Sequence, residues 1–175
     1  MVSQGAKSGI RLRSRAATLK EWSVFGSLTP LRHFAWTVVK RLIRQKFPTV
    51  ERISTAELAS WLASDLPPPL LIDARQAEEY AVSHLPGAHH WPTLAAVQQA
   101  AVSADAAIVV YCSVGYRSAR LAQQLQAAGY THVMNLEGSI FEWHNQGQPL
   151  VVDGKPTQAV HPYNRTWGLL LASPE

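Results

Sequence analysis

The sequence is poor in cysteine: among its 175 residues, Cys112 is the only one. A chain with one cysteine forms no internal disulfide and builds no cysteine-rich zinc site. The sequence also lacks the ~18 consecutive apolar residues that a membrane-spanning helix needs. The single cysteine predicts a reducing compartment such as the cytoplasm or an organellar stroma. A length of 175 residues with 47% hydrophobic content predicts one globular domain with an extension.

Acidic residues are scarce in the N-terminal part. Residues 1–52 contain 11 of the 16 Lys and Arg and only two acids, for a net charge of +9, whereas the remainder has five basic and ten acidic residues, for a net charge of −5. Such a basic arm suits an anionic partner: a membrane surface, nucleic acid or the acidic face of its own domain. Residues 1–30 show no sustained hydrophobic period and are predicted to be a disordered basic segment, with a transit peptide as the alternative over residues 1–20.

A helical period runs over residues 31–47 and ends before Pro48. One arc of this basic amphipathic helix is apolar and consists of Leu31, Phe34, Ala35, Val38, Val39, Leu42 and Ile43. The opposite arc is polar and consists of His33, Thr37, Lys40, Arg41 and Arg44. We expect the apolar arc to pack on the following domain, and peripheral contact with a membrane is the alternative.

From residue 50 onward, short apolar runs alternate with helical segments. Strands are predicted at 51–53, 70–73, 88–91, 106–111 and 132–135, and helices at 55–63, 78–83, 93–101, 118–128 and 139–145. The alternation predicts a three-layer α/β domain over residues 50–150, with a central parallel sheet and helices on both faces. Residues 151–175 are predicted to be a tail packed on the domain, and the aromatic stretch at 161–167 has no assigned function.

The segment from Cys112 to Ser118 follows a nearly all-apolar strand and precedes a helix. Sites in parallel sheets lie at the carboxyl ends of the strands. We expect the loop N–H groups, the helix dipole and the charge of Arg117 to favour the thiolate, so that Cys112 titrates below the ~8.5 of a free cysteine. Gly115 allows the positive φ of a tight loop. An inert buried cysteine is the alternative.

Four separate motifs in residues 50–150 resemble the rhodanese-like domain family. The loop from Cys112 to Arg117 is similar to the family's active-site loop, and residues 71–75 (LIDAR) are similar to its first strand motif. Residues 78–88 match an EY...HIPGA stretch, and residues 129–143 match the closing GY...V...LxGG...W pattern. The order and spacing also agree with the family, which makes the resemblance specific.

The resemblance implies a sulfurtransferase in which Cys112 takes sulfane sulfur from thiosulfate or a protein persulfide and yields it to cyanide or a thiol. Cys112 and Arg117 would be catalytic, and Ser113, Val114, Gly115, Tyr116 and Ser118 would complete an anion-binding loop. No metal, organic cofactor or nucleic acid partner is expected. Asp73 and Arg75 are candidate supporting residues, because Asp73 could orient Arg117 or Arg75, or cap the following helix.

Three positions depart from the family pattern. Ser113 stands where many members have a basic residue, which implies weak binding of thiosulfate and favours a persulfide donor. Ser83 and Ser139 stand at positions where the family has glycine, and we expect neither to touch the chemistry.

Two other functions remain open. A phosphatase with a related loop is one, although such loops are one residue longer and follow a histidine where this chain has Tyr111. A non-catalytic docking module at a membrane or a partner protein is the other.

Overall fold

A five-stranded parallel sheet forms the centre of the computed structural model, which describes residues 28–172. The strands are β1 (Glu51–Ile53), β2 (Leu70–Asp73), β3 (His89–His90), β4 (Ala107–Tyr111) and β5 (His132–Leu136), in the order β1-β5-β4-β2-β3. The helices are α1 (Leu28–Lys46), α2 (Thr55–Leu62), α3 (Ala77–Val82), α4 (Leu94–Gln99), α5 (Tyr116–Ala127), α6 (Ser139–Asn145) and α7 (Arg165–Gly168).

The side chains of β4 alternate between two hydrophobic cores. Val109 and Tyr111 lie in the core that α2 and α6 cover, whereas Ile108 and Val110 lie in the core that α4 and α5 cover. All four side chains are fully buried, as expected for a central parallel strand covered on both faces. The predicted three-layer α/β architecture is therefore confirmed.

Helix α1 begins at Leu28, three residues before the predicted start, and its last helical residue is Lys46. Pro30 lies in its first turn, where a proline costs no hydrogen bond because the first N–H groups of a helix have no partner within it. The predicted disorder of residues 1–30 is therefore wrong for 28–30. For residues 1–27 that prediction lies outside the described part of the chain.

The face of α1 that packs on the domain includes only part of the predicted apolar arc, namely Ala35, Val39 and Ile43. Trp36 and Ile43, together with Phe47 just after the helix, are buried on the domain. On the same side, Lys40 pairs with Glu142 at 2.7 Å and Arg44 pairs with Glu137 at 2.7 Å. Of the predicted polar arc, Lys40 is thereby drawn partly into the interface, whereas His33, Thr37, Arg41 and Arg44 remain exposed.

This packing leaves part of the predicted apolar arc in solvent. The exposed stripe consists of Leu31, Phe34, Val38 and Leu42, whose side chains are 63%, 67%, 39% and 59% exposed. These positions share one side of the helix because they are three or four residues apart. No helix within residues 28–172 is both long enough and apolar enough to cross a membrane.

Helix α5 begins at Tyr116 rather than at the predicted Ser118. Gly115 is its N-cap and has a φ of 111°, which turns the chain directly into the helix. Arg117 therefore lies in the first helical turn, within the positive end of the helix dipole.

The C-terminal tail forms two elements that the sequence did not predict. A hairpin joins β6 (Leu150–Val152) to β7 (Lys155–Thr157), and α7 follows. The turn is Asp153-Gly154, both with positive φ, and this dipeptide is a recognised hairpin signal. Leu170 is buried in the core shared with α2 and α6, and Trp167 packs against it.

Candidate active site

Cys112 directly follows β4 at the carboxyl edge of the sheet, and its side chain is buried. The Gly115 N–H donates to Sγ at 3.2 Å, and the Ser118 hydroxyl donates to it at 3.5 Å. The loop from Cys112 to Ser118 thus closes over its own sulfur. A glycine at position 115 adopts the required φ without the steric penalty that a side chain would add.

Two opposing effects set the pKa of the Cys112 thiol. Burial alone would raise this pKa, because the charged form loses its hydration. The positive charge of Arg117 and hydrogen bonds from Ser118 and Gly115 outweigh burial, so the pKa lies below its ordinary value. The thiolate, which is the nucleophilic form, is therefore favoured.

Glu79 holds Arg117 in place. The Arg117 guanidinium donates to both carboxylate oxygens of Glu79, at 2.6 and 2.7 Å. The Ser113 hydroxyl donates to the same carboxylate at 2.8 Å and accepts from Arg117 at 2.9 Å. One carboxylate in the first turn of α3 therefore positions two side chains of the Cys112 loop.

Charge pairing strongly perturbs Glu79, whose side chain is only 1% exposed. Burial would raise its pKa, but hydrogen bonds from Arg117, the Gln76 N–H and Ser113 lower it to about 2. Glu79 raises the pKa of Arg117 in turn, against the effect of burial. Sequence reasoning placed Glu79 in a family motif and missed its contact with Arg117, which lies 38 positions away.

Two further polar residues that were not predicted as site residues hold the loop. The Ser139 hydroxyl accepts from the Cys112 N–H at 3.1 Å and donates to the Leu136 carbonyl at 3.0 Å. The Asn135 amide donates to the Gly115 carbonyl at 3.2 Å. Ser139 bonds to the Cys112 backbone rather than to its sulfur, and this supporting contact was not predicted. Its φ of 51° explains why glycine would also fit there.

Asp73 pairs with Arg75 rather than with Arg117. The Arg75 guanidinium bonds to both carboxylate oxygens of Asp73, and both side chains are fully buried. The Asp73 carboxylate also accepts from the Arg75 N–H at 3.0 Å. Neither residue lines the cavity at Cys112, so this pair supports the turn after β2. Within residues 28–172, no group of three or more His, Cys, Asp or Glu could hold a metal ion.

A cavity of about 160 Å³ opens beside the Cys112 loop. Its lining consists of Cys112, Ser113, Val114, Tyr116, Arg117, Tyr163 and Trp167. Gly115 and Ser118, also predicted as loop residues, face the sulfur from the protein side. Tyr163 and Trp167 come from the C-terminal tail, and the Tyr163 ring lies 4.9 Å from the Arg117 guanidinium carbon. A thiol with a lowered pKa, a positioned cation and a half-open cavity together suit nucleophilic chemistry on a small group.

The chain is similar to two proteins that are named as sulfurtransferases. A sulfurtransferase of Allochromatium vinosum is 34% identical over 103 residues, a match covering 58% of this chain and 95% of that protein. The probable adenylyltransferase/sulfurtransferase MoeZ of Mycobacterium tuberculosis is 33% identical over 103 residues, but this match spans only 26% of its length. The chain thus matches nearly all of the first relative and about a quarter of the second.

Solved structures and a family model also match. A rhodanese-like domain protein from Staphylococcus aureus is 27% identical with a TM-score of 0.52, and the match covers 59% of this chain and 99% of that one. The Alr3790 protein from Anabaena sp. is 25% identical with a TM-score of 0.53, covering 57% and 81%. The model of the rhodanese-like domain matches residues 54–146. More than half of the chain is thus accounted for, and the chain belongs to the rhodanese-like domain family.

Proposed function

We propose that the protein is a sulfurtransferase that carries sulfur as a persulfide on Cys112. One observation carries the proposal: the Cys112 sulfur is buried, yet it accepts hydrogen bonds from Gly115 and Ser118 beside the positive charge of Arg117. A site that stabilises a thiolate in this way also stabilises the terminal sulfur of a persulfide anion.

The reaction consists of two displacements on sulfur. With thiosulfate, the Cys112 thiolate attacks the sulfane sulfur, an S–S bond forms, and sulfite leaves with the electron pair of the broken bond. With a protonated organic persulfide, the same attack leaves the proton on the new Cys112 persulfide and releases an organic thiolate. In the second step, cyanide or a thiolate attacks the outer sulfur and regenerates the Cys112 thiolate. Because the chain has one cysteine, the acceptor comes from outside.

Intact mass spectrometry tests the proposal directly. The full chain is incubated with thiosulfate or an organic persulfide, and the wild type is compared with Cys112→Ser. We expect a gain of one sulfur atom in the wild type, reversal by cyanide or a thiol, and no gain in the variant. The absence of a gain with every donor, while Cys112 still reacts with iodoacetamide, would refute the proposal. Cys112-dependent hydrolysis of p-nitrophenyl phosphate would favour a phosphatase instead.

The cytoplasm is the compartment that we propose, because a lone thiolate nucleophile needs surrounding thiols that keep it reduced. Arg117 and Cys112 would be the residues that touch the substrate, with Ser113, Val114 and Tyr116 lining its path.

The exposed stripe of α1 supports a second role, in docking to an anionic lipid surface. Leu31, Phe34, Val38 and Leu42 form a continuous apolar line, and Arg41 is exposed beside them. The segment before α1, residues 1–27, contains five Lys and Arg and one acid. Apolar side chains flanked by basic residues bind best where lipid headgroups are anionic. We propose that α1 lies along such a surface while its opposite side stays packed on the domain.

Vesicle sedimentation tests this docking role. We expect the full chain to bind vesicles containing phosphatidylglycerol more strongly than vesicles of phosphatidylcholine alone, and Phe34→Ser with Leu42→Ser to abolish the difference. Leu66→Ser is the matched control, because Leu66 is 65% exposed on another part of the surface. Equal binding to both vesicles, or binding that survives the double substitution, would contradict a lipid-docking helix. Self-association that only the stripe variant loses would point to a second copy as the occupant.

A further inference from the structure

The C-terminal tail forms one wall of the cavity at Cys112. Tyr163 and Trp167 line it together with Cys112 and Arg117, although both residues lie beyond the part of the chain that matches the family model, residues 54–146. Two of the three aromatic side chains at the mouth thus come from a segment outside the matched domain. The third, Tyr116, lies in the first turn of α5.

Hydrogen bonds and buried contacts fix this wall to the domain. The Asn145 side chain at the end of α6 donates to the Leu170 carbonyl at 2.8 Å and accepts from the Ala172 N–H at 2.6 Å. Leu170 is 5% exposed, and Trp167 packs against the same core. The Asn164 side chain caps α7 by accepting from the Trp167 N–H at 3.0 Å. These contacts anchor α7 and the residues on either side of it, and with them the segment that carries the two aromatic rings.

The backbone at Tyr163 supports a role at the site. Its φ is 62°, in the left-handed region that a residue with a bulky side chain rarely adopts. This conformation accompanies the placement of the phenol ring over the Arg117 guanidinium at 4.9 Å. Uncommon backbone conformations of this kind cluster at binding sites, where the surrounding structure maintains them.

The charges at the cavity disfavour a small dianion. Arg117 is the only cation among the lining residues. Its two terminal nitrogens already donate to the Glu79 carboxylate, and the ring of Tyr163 lies over its guanidinium. The Cys112 thiolate and the Glu79 carboxylate together carry two negative charges against the one positive charge of Arg117. A thiosulfate dianion entering this cavity would therefore meet net repulsion.

The size and lining of the cavity suit an apolar group instead. Its volume is about 160 Å³, close to the cavity of roughly 150 Å³ that accommodates benzene in an apolar protein interior. Val114 and three aromatic rings line it beside the sulfur. Stacked or edge-on aromatic contacts each strengthen binding about two- to tenfold beyond the effect of the area that they bury.

We propose that Tyr163 and Trp167 are specificity-determining residues that select sulfur donors with an aromatic or similarly bulky apolar group next to the transferred sulfur. The inference rests on the proposed sulfurtransferase function and narrows its donor class. In the transfer, the Cys112 thiolate bonds to the sulfane sulfur, the donor bond to that sulfur breaks, and the apolar part departs as a sulfinate or a thiolate with the electron pair. The departing group occupies the aromatic wall during this exchange.

Two donors that differ only in one group provide the test. Benzenethiosulfonate and methanethiosulfonate carry the same reactive sulfur and the same single charge, so the ratio of their kcat/KM values with cyanide as the acceptor isolates the contribution of the phenyl ring. We expect Tyr163→Ala and Trp167→Ala each to lower this ratio about two- to tenfold. Asn145→Ala, which loosens the tail without touching the cavity, should lower it as well. Leu169→Ala is the matched control, since Leu169 is 76% exposed in the same tail and does not line the cavity.

Alkylation of Cys112 separates this inference from the proposed function. The rates with N-benzyliodoacetamide and iodoacetamide give a second ratio that requires no sulfur transfer. We expect the same variants to lower it while the rate with iodoacetamide stays the same or rises. If neither thiosulfonate transfers sulfur but the alkylation ratio falls in the variants, the sulfurtransferase function fails and the aromatic selectivity stands. Ratios unchanged in both assays would overturn the proposed role of Tyr163 and Trp167.

Discussion

Replacing Glu79 with glutamine removes the charge that pairs with Arg117 and keeps the shape of the side chain. The pKa of Glu79 is about 2 instead of its ordinary 4.5, and the side chain is 1% exposed. Each tenfold difference in proton affinity is worth about 1.4 kcal/mol, so the ionised carboxylate contributes about 3 kcal/mol to stability at neutral pH. In a chain of this length, that loss corresponds to a fall in Tm of roughly 6–12 °C.

The sign of the pH dependence follows from the lowered pKa. The contribution of Glu79 is fully present above its ordinary pKa of 4.5 and is lost as the pH falls through about 2. At pH 3 the same relation leaves about 1.5 kcal/mol. The difference in unfolding free energy between wild type and Glu79→Gln should therefore shrink by about half between pH 7 and pH 3.

Urea unfolding followed by tryptophan fluorescence at neutral and acidic pH measures this difference. Glu78→Gln is the matched control, because Glu78 is the neighbouring residue in α3 and is exposed. The control should change stability by less than about 0.5 kcal/mol at every pH. A Glu79→Gln difference that stays constant between pH 7 and pH 3, or that is as small as that of the control, would refute the reasoning.

Three further substitutions have definite expected results. Ser118→Ala removes a hydrogen bond to the Cys112 sulfur, so the pKa of the thiol should rise and the midpoint of the iodoacetamide rate against pH should move upward; an unmoved midpoint would contradict the contact. Ser139→Ala leaves the Cys112 N–H unpaired and should cost about 1–3 kcal/mol in urea unfolding; no loss would show that the bond is dispensable. Asp73→Asn leaves the buried charge of Arg75 without its ionised partner and should lower the free energy of unfolding in urea by about 3–5 kcal/mol. Asp65→Asn, on the surface, should leave that free energy almost unchanged, and equal losses for the two variants would contradict the pairing.

Local patterns predicted much of the domain. The strand from Ala107 to Tyr111 could be read from an apolar run, because a central parallel strand is buried on both faces. The bounds of helix α6 were also predicted correctly from the local sequence pattern. The hairpin at Asp153-Gly154 was not predicted, although its turn signal is local and is present in the sequence.

The face of α1 could not be predicted from periodicity. The predicted apolar arc also includes Leu31, Phe34, Val38 and Leu42, yet these stay exposed. The helix packs through Val39 and Ile43 of that arc together with Trp36, where Lys40 meets Glu142. Periodicity shows which residues share a face and leaves open which face the rest of the protein covers. The acidic partners lie about 100 positions away in the sequence, since the Lys40 and Glu142 positions differ by 102.

The sequence alone determined the family, the order of strands and helices from β1 to α6, and the placement of Cys112 at the end of a buried strand, because these depend on local composition and spacing. Tertiary structure decided which groups surround that sulfur. Glu79 rather than Asp73 holds Arg117, Ser139 holds the Cys112 backbone, and Tyr163 of the tail covers the cavity. Each of these contacts joins residues at least 27 positions apart. Such pairings arise only when the chain packs, since no local pattern specifies which distant side chain fills a given space.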